Sequence, residues 1–145
     1  MKYKISIVEP HLIPDVWPKV EGFLQQVCDI TNGRSTPAET LNSVIKDLAS
    51  LWVVYDEDTL QVVGAMVIKI NQYPKIKLLT VEQLAGEDFD EWIDQANDLL
   101  IVCAKHYQCA GLELIGRRGW VRKLSRLHWK EVFSSCQLLF EEPNE

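Results

Sequence analysis

The chain reads as an α/β (α+β) protein. The expected architecture is one mixed, mostly antiparallel sheet flanked by helices on both faces, in the order β-α-α-β-β-β-α-β-α-β. Three observations predict it. Three short apolar runs between Leu51 and Val81 are separated by turn residues, as in an antiparallel meander. A long helical pattern from Phe89 to Tyr107 leads back to another apolar run at Leu112, a strand–helix–strand crossover. The stretch Gly111 to Phe133 then reads as strand, glycine turn, short helix and the start of a further strand.

In the first strand, Tyr3, Ile5 and Ile7 alternate against Lys4 and Ser6. After Pro10 the period changes. Ile13, Val16, Trp17, Val20, Phe23, Leu24, Val27 and Cys28 form one broad apolar stripe. Proline lacks the N–H and clashes with the preceding turn, so the regular helix is expected to start near Pro18 and to end at Asn32-Gly33. Thr36-Pro37-Ala38-Glu39 is a capping box with proline at the first helical position, and Leu41, Val44, Ile45 and Leu48 mark the face of the second helix.

Leu51 to Tyr55 is a compact apolar strand, followed by a turn at Asp56 to Thr59. Val62 to Ile70 is the next strand, with Gly64 a bulge candidate. Asn71 to Pro74 turns the chain into a strand from Lys75 to Val81. Phe89, Trp92, Ile93, Ala96, Leu99, Leu100, Cys103 and Tyr107 keep helical spacing over about five turns. Leu112 to Ile115 is a buried strand, Gly116 and Gly119 bracket a turn, and Trp120, Val121, Leu124 and Leu127 share a helix face. Val132 to Phe140 reads as the last strand.

A length of 145 residues fits a single domain, 1–145, with a sizeable core. The net charge of −6 argues against a general nucleic-acid binder. No apolar run approaches the ~18 residues of a membrane span, and the N-terminus lacks the apolar core of a signal peptide. Cys28, Cys103, Cys109 and Cys136 show no paired spacing, which fits reduced thiols in a cytosolic protein.

Charge is unevenly distributed. Arg117, Arg118, Arg122, Lys123, Arg126 and Lys130 are six of the 15 Lys and Arg, with no acid among them. This run carries +6, so the remainder carries −12. It reads as a solvated helix face, as a partner for the acidic stretch Glu87 to Asp94, or as an anion or protein contact. Trp120 and Trp129 beside it give a composition common at protein contacts, although core packing accounts for each of the five tryptophans individually. Cys103-x-x-His106-x-x-Cys109 has ligand types at helical spacing, but Cys103 fits the apolar stripe; core packing is the expectation and no metal is assigned. No base partners any of the cysteines as a nucleophile.

The order and lengths of the elements resemble the Gcn5-related N-acetyltransferase (GNAT) superfamily over nearly the whole chain. Locally, Trp17-Pro18, Leu84-Ala85-Gly86-Glu87 and Gly116 to Trp120 are similar to small acetyltransferase-like proteins of tailed bacteriophages. That resemblance implies an acetyl-CoA-dependent N-acetyltransferase acting on an amine, with the backbone of the central strand at Leu79 and Val81 holding the pantetheine arm of coenzyme A. The superfamily's pyrophosphate pattern, Q/R-x-x-G-x-G/A, falls on Gln83 to Asp88. Gln83 and Gly86 match it, whereas Asp88 stands where a small residue is usual. Glu87, Asp88, Asp90 and Glu91 there read equally as helix-capping carboxylates.

By the same resemblance, Arg117 and Arg118 lie beside the cofactor arm, and Glu82 at the end of the central strand is either the general base or a strand-end glutamate that faces solvent. The superfamily's tyrosine acid, in a Y-x-x-x-G-F pattern, is replaced by Leu124, and His128 stands where glycine is usual. His128 is then either a catalytic imidazole or a left-handed turn residue with an exposed ring. The alternative is a catalytically inactive GNAT-fold accessory or virion protein that contacts a phage or host protein through Arg117 to Trp129. Either protein would work in the host bacterial cytoplasm or be virion-associated, without nucleic-acid or membrane partners.

Overall fold

A computed structural model describes residues 2–31, 33–117 and 119–141. It divides into two compact units, Met1–Ile115 and Gly116–Glu145. The first unit holds a five-stranded sheet in the order β1-β2-β3-β4-β5, with β1 Tyr3–Ile7, β2 Ser50–Asp56, β3 Val62–Gln72, β4 Lys77–Gly86 and β5 Gly111–Leu114. The first four strands pair antiparallel and β4 pairs β5 in parallel, as a mixed sheet with one helical crossover requires. Among the described residues no helix is long and apolar enough to cross a membrane.

α1, Ile13–Asp29, starts five residues before Pro18, contrary to expectation. Pro14 sits in its first turn, where a missing N–H costs nothing, and Pro18 is carried inside. The helix continues through Pro18 because Ile13 and Trp17 are both buried and extend the apolar stripe across it. α2, Pro37–Ile45, has Thr36 as its N-cap, and the Thr36 hydroxyl oxygen accepts the Glu39 N–H at 3.2 Å. This helix stops before Leu48, where Asp47 turns to φ 60°, so Leu48 is exposed instead of lining the expected face.

α1 and α2 pack on one face of the sheet. Val20, Leu24 and Val44 meet Leu51, Val53, Ala65 and Val67 there. α3, Phe89–His106, packs against β4 and β5 and buries Trp92, Ile93, Ala96 and Leu100. Gly64 and Gly86 are paired across β3 and β4, and a Cβ on either would meet the Trp92 ring. A bulge falls beside Gly64, where β2 pairs Val54 with Gly64 and then Tyr55 with Val62.

In the second unit, α4 spans Gly119–Leu124 and a 3-10 turn follows at Ser125–Leu127. His128 ends this turn at φ 72°, the left-handed conformation of the turn-residue alternative, with its ring exposed. The described residues from Trp129 to Phe140 form no strand, which corrects the final β element of the expected order. Val132, Phe133, Leu138 and Phe140 are exposed. Apolar, β-prone residues favour an extended chain, but a strand exists only where a partner takes its N–H and C=O groups.

Candidate functional site

The site is built on the two halves of β4. Leu78, Leu79, Thr80 and Val81 pair with β3 on one side and with Gly111 to Leu114 of β5 on the other. A last bond runs from the Ile115 N–H to the Val81 carbonyl at 3.4 Å. β4 then continues through Glu82 to Gly86 beside β3 alone, while β5 has ended. The strands therefore part after Val81. At the same point the β3–β4 register slips: Val67 pairs with Gln83 and Ile68 with Val81, so Glu82 is an extra, bulged residue. Glu82 is exposed there.

Register assigns side chains to faces. Gln83 pairs with Val67, which lies in the α1–α2 core. Lys69, two residues on, shares that face and pairs with Thr80, which in turn pairs with Glu113 of β5. Gln83, Thr80, Glu113 and Lys69 therefore share the α1–α2 face of the sheet. The fully buried Thr80 hydroxyl donates to Glu113 Oε2 at 2.6 Å and accepts from Asn71 Nδ2 at 2.7 Å. The Tyr73 hydroxyl, from the β3–β4 turn, donates to the same Glu113 oxygen. Tyr73 is held above the usual tyrosine range, first by that hydrogen bond, then by desolvation and the Glu113 charge, with a smaller contribution from Glu82. One carboxylate thus holds two hydroxyls at the point where β4 and β5 part, and a second carboxylate lies close enough to act on the same tyrosine.

Gln83 is a buried residue of the strand; it does not lie in a loop. Its Nε2 donates to Thr40 Oγ1 of α2 at 2.9 Å, and its Oε1 has no hydrogen-bond partner among the described residues. A buried acceptor left unpaired costs about 1–3 kcal/mol. Leu79 and Val81 are also buried, and both lie in the stretch flanked by β3 and β5. An arm bonding to the open β4 edge would meet it beyond Val81.

Gly86 is the last residue of β4, at φ 152° and paired with Gly64. Only Glu87 and Asp88 separate it from α3. The Glu87 N–H is used on the Val63 carbonyl at 2.8 Å, and its carbonyl accepts Trp92 Nε1 at 2.8 Å. Asp88 takes the N-cap position at φ 53° without capping through its side chain; its Oδ2 accepts the Tyr3 hydroxyl at 2.6 Å. That bond, with burial and the Asp88 charge, pushes Tyr3 up to about 12. Glu87, Asp88, Asp90 and Glu91 crowd this junction, and each would cost on the order of 1 kcal/mol against a phosphate even in solvent. The junction does not fit the pyrophosphate of coenzyme A.

Arg117 and His128 are exposed residues of the second unit, and Arg118 lies outside the described residues. Burial pushes the Cys103 thiol up, with a smaller contribution from Cys109, which disfavours a thiolate. Among the described residues no group of three or more His, Cys, Asp or Glu is placed to hold a metal. The sequence reading missed Tyr73, Thr80, Asn71 and Glu113. The signals were slight: Thr80 is the one polar residue between Leu78 and Val81, and Glu113 interrupts an apolar run.

No family model matches the chain. No curated protein matches it either. Solved structures do. Ribosomal-protein-alanine N-acetyltransferase from Brucella melitensis biovar Abortus 2308 is 16% identical, with a TM-score of 0.68 over 96% of this chain and 100% of that one. Glucosamine-6-phosphate N-acetyltransferase from Arabidopsis thaliana is 14% identical, with a TM-score of 0.65 over 97% and 100%. A predicted acetyltransferase with acetyl-CoA from Clostridium acetobutylicum is 11% identical, with a TM-score of 0.66 over 95% and 96%. At these identities the likeness is one of fold, and the fold is that of the GNAT acetyltransferases.

Proposed function

We propose that this chain is an N-acyltransferase that works on an amine where β4 and β5 part. The carrying observation is the coincidence of that parting with the bulge at Glu82, which sets an exposed carboxylate beside an open strand edge. Glu82 takes the proton that an amine must lose before its lone pair can attack an acyl group. Glu113, with Tyr73 and Thr80 on one oxygen, fixes the polar wall beside it. Acetyl-CoA is the donor that the fold implies, and the open edge beyond Val81 suits its extended arm. The β4–α3 junction does not suit its phosphates.

That misfit favours a second reading, a non-catalytic protein that keeps the fold and contacts a partner protein through Arg117 to Trp129. Arg117, Arg122 and Lys130 are exposed there. By sequence resemblance, this reading makes it an accessory or virion protein of a tailed phage, present in the host cytoplasm. Titration calorimetry with acetyl-CoA and CoA separates the two. Micromolar binding, followed by acetylation of primary amines that Glu82→Gln abolishes, supports the transferase. Absence of heat and of any thermal shift at millimolar cofactor sinks it, and a partner pull-down with and without Arg122→Glu then tests the second reading.

A further inference from the structure

We infer that the open half of β4 takes an acyl thioester on an uncharged arm, and that the β4–α3 junction turns the diphosphate of coenzyme A away. The inference names the donor for the transferase reading and rests on that reading for its purpose. Its evidence is the geometry of the junction. Transfer from such a donor balances: the amide bond forms, the C–S bond breaks, and the arm leaves as a thiol carrying the proton that the amine lost.

A phosphate cradle at a helix start needs backbone N–H groups aimed at the ligand, a glycine whose bare face the ligand can approach, and no competing anion. The Glu87 N–H is taken by the Val63 carbonyl at 2.8 Å and the Glu91 N–H by the Asp88 carbonyl at 2.9 Å. Gly86 matches the glycine of the phosphate pattern, but its bare face is already filled. A Cβ there would lie 2.7 Å from Gly64 Cα and the Val63 carbonyl oxygen and 3.2 Å from the Trp92 ring. Packing of β3 and α3 therefore accounts for this glycine. The positive end of the α3 dipole is answered within the chain, by Asp88 at the N-cap position and by Asp90 and Glu91 in the first turn. Glu87, Asp88, Asp90 and Glu91 are exposed, and among the described residues Glu87, Asp90 and Glu91 pair with no lysine or arginine.

The edge leading to this junction has no such bar. From Glu82 to Gly86, β4 has β3 on one side and no β5 on the other. At ~3.3 Å per residue that stretch is about 16 Å long. An extended arm with amide groups can pair with it as an added strand does. With its thioester at Glu82, the arm ends beside Gly86, among the carboxylates. A hydroxyl at that end donates to a carboxylate, whereas a phosphate brings only acceptors and like charge.

The test compares acetyl-pantetheine, whose arm ends in a hydroxyl, with acetyl-CoA, by calorimetry and by backbone amide NMR. Saturable shifts at Glu82 to Gly86 are expected with acetyl-pantetheine, at a Kd about tenfold below that of acetyl-CoA in low salt. Raising NaCl to about 0.5 M should narrow the gap by strengthening acetyl-CoA alone. Glu87→Gln combined with Asp90→Asn and Glu91→Gln should strengthen acetyl-CoA about tenfold and leave acetyl-pantetheine unchanged. The salt series on the wild type decides the matter should that variant fail to fold. Acetyl-pantetheine binding no tighter than acetyl-CoA, salt weakening acetyl-CoA, a folded triple variant that does not strengthen acetyl-CoA, or neither ligand binding at β4 overturns the inference. If acetyl-CoA is the tighter ligand and a working donor, the inference falls and the transferase stands. If acetyl-pantetheine binds at this edge yet neither thioester supports transfer, the inference stands and the transferase falls.

Discussion

The two halves of β4 are built from one continuous strand and do different work. From Lys77 to Val81 it is an interior strand, held by β3 and β5, with Leu79 and Thr80 fully buried. From Glu82 to Gly86 it keeps β3 and loses β5. The change takes one residue. The bulge at Glu82 breaks the alternation of faces, so that Val81 lies on the face away from α1 and α2, whereas Gln83 lies on their face, paired with Val67. A bulge and an exposed carboxylate at an open strand edge keep that edge from pairing with another chain. The transferase reading uses the same edge as the place where a ligand adds its own groups to the sheet.

Substitutions can break or sharpen this contrast. The largest effect is expected at the end of the open half. Gly86 has φ 152°, and a Cβ there would lie 2.7 Å from Gly64 Cα and the Val63 carbonyl oxygen. Gly86→Val combines backbone strain with a clash that flexible side chains cannot relieve, and should lower stability by about 3 kcal/mol or more in urea unfolding. This residue belongs to the open half by pairing and to the core by contact. A small effect would mean that the Gly64–Gly86 contact with Trp92 is loose.

Next comes Thr80→Val, which keeps the shape of the closed half and removes both of its polar bonds. A loss of about 1–3 kcal/mol is expected, as Asn71 Nδ2 and Glu113 Oε2 each lose a partner. An unchanged urea midpoint would show that these groups are repaired by solvent and that the polar wall is not rigid.

A smaller effect is expected at the β4–α3 junction. The Tyr3 pKa is raised from 10.0 to about 12 by its bond to Asp88. A raised tyrosine pKa means that the fold favours the neutral hydroxyl. Its contribution is therefore complete below pH 10 and lost as pH rises from 10 to about 12. Melting temperature across that window should fall more steeply in the wild type than in Tyr3→Phe, and parallel curves would place Asp88 elsewhere.

The smallest effect on stability is expected at the bulge. Glu82→Gln alters an exposed residue and should change unfolding by less than ~0.5 kcal/mol. Acyl transfer to an amine should fall about 100-fold or more in the same variant. If stability falls and turnover does not, Glu82 is a structural residue and the open half loses its proposed role.

Local chemistry was readable wherever one residue decides a conformation. Thr36 as the cap of α2 could be named because it depends on its own backbone and a neighbour within four residues, whereas the left-handed turn at His128 was one of two roles that the family resemblance implied. Gly64 marked a bulge for the same reason as Thr36. The extent of β4 could not be read. Gln83 to Gly86 carry the small and polar residues of a phosphate loop, and only pairing with Gly64 to Val67 makes them strand. The polar cluster was invisible for a related reason, because Tyr73, Thr80 and Glu113 come from three strands or turns and span 40 residues before register sets them together.

The sequence by itself therefore determined the periods, the caps, the crossover and the fold class. These follow from side-chain spacing and backbone preference, which act over one or two turns. Tertiary structure alone decided where β5 stops, which residue of β4 bulges, and which face Gln83 and Glu113 share. Each of these depends on strand register, and register is fixed by long-range pairing and by which face finds a core to bury.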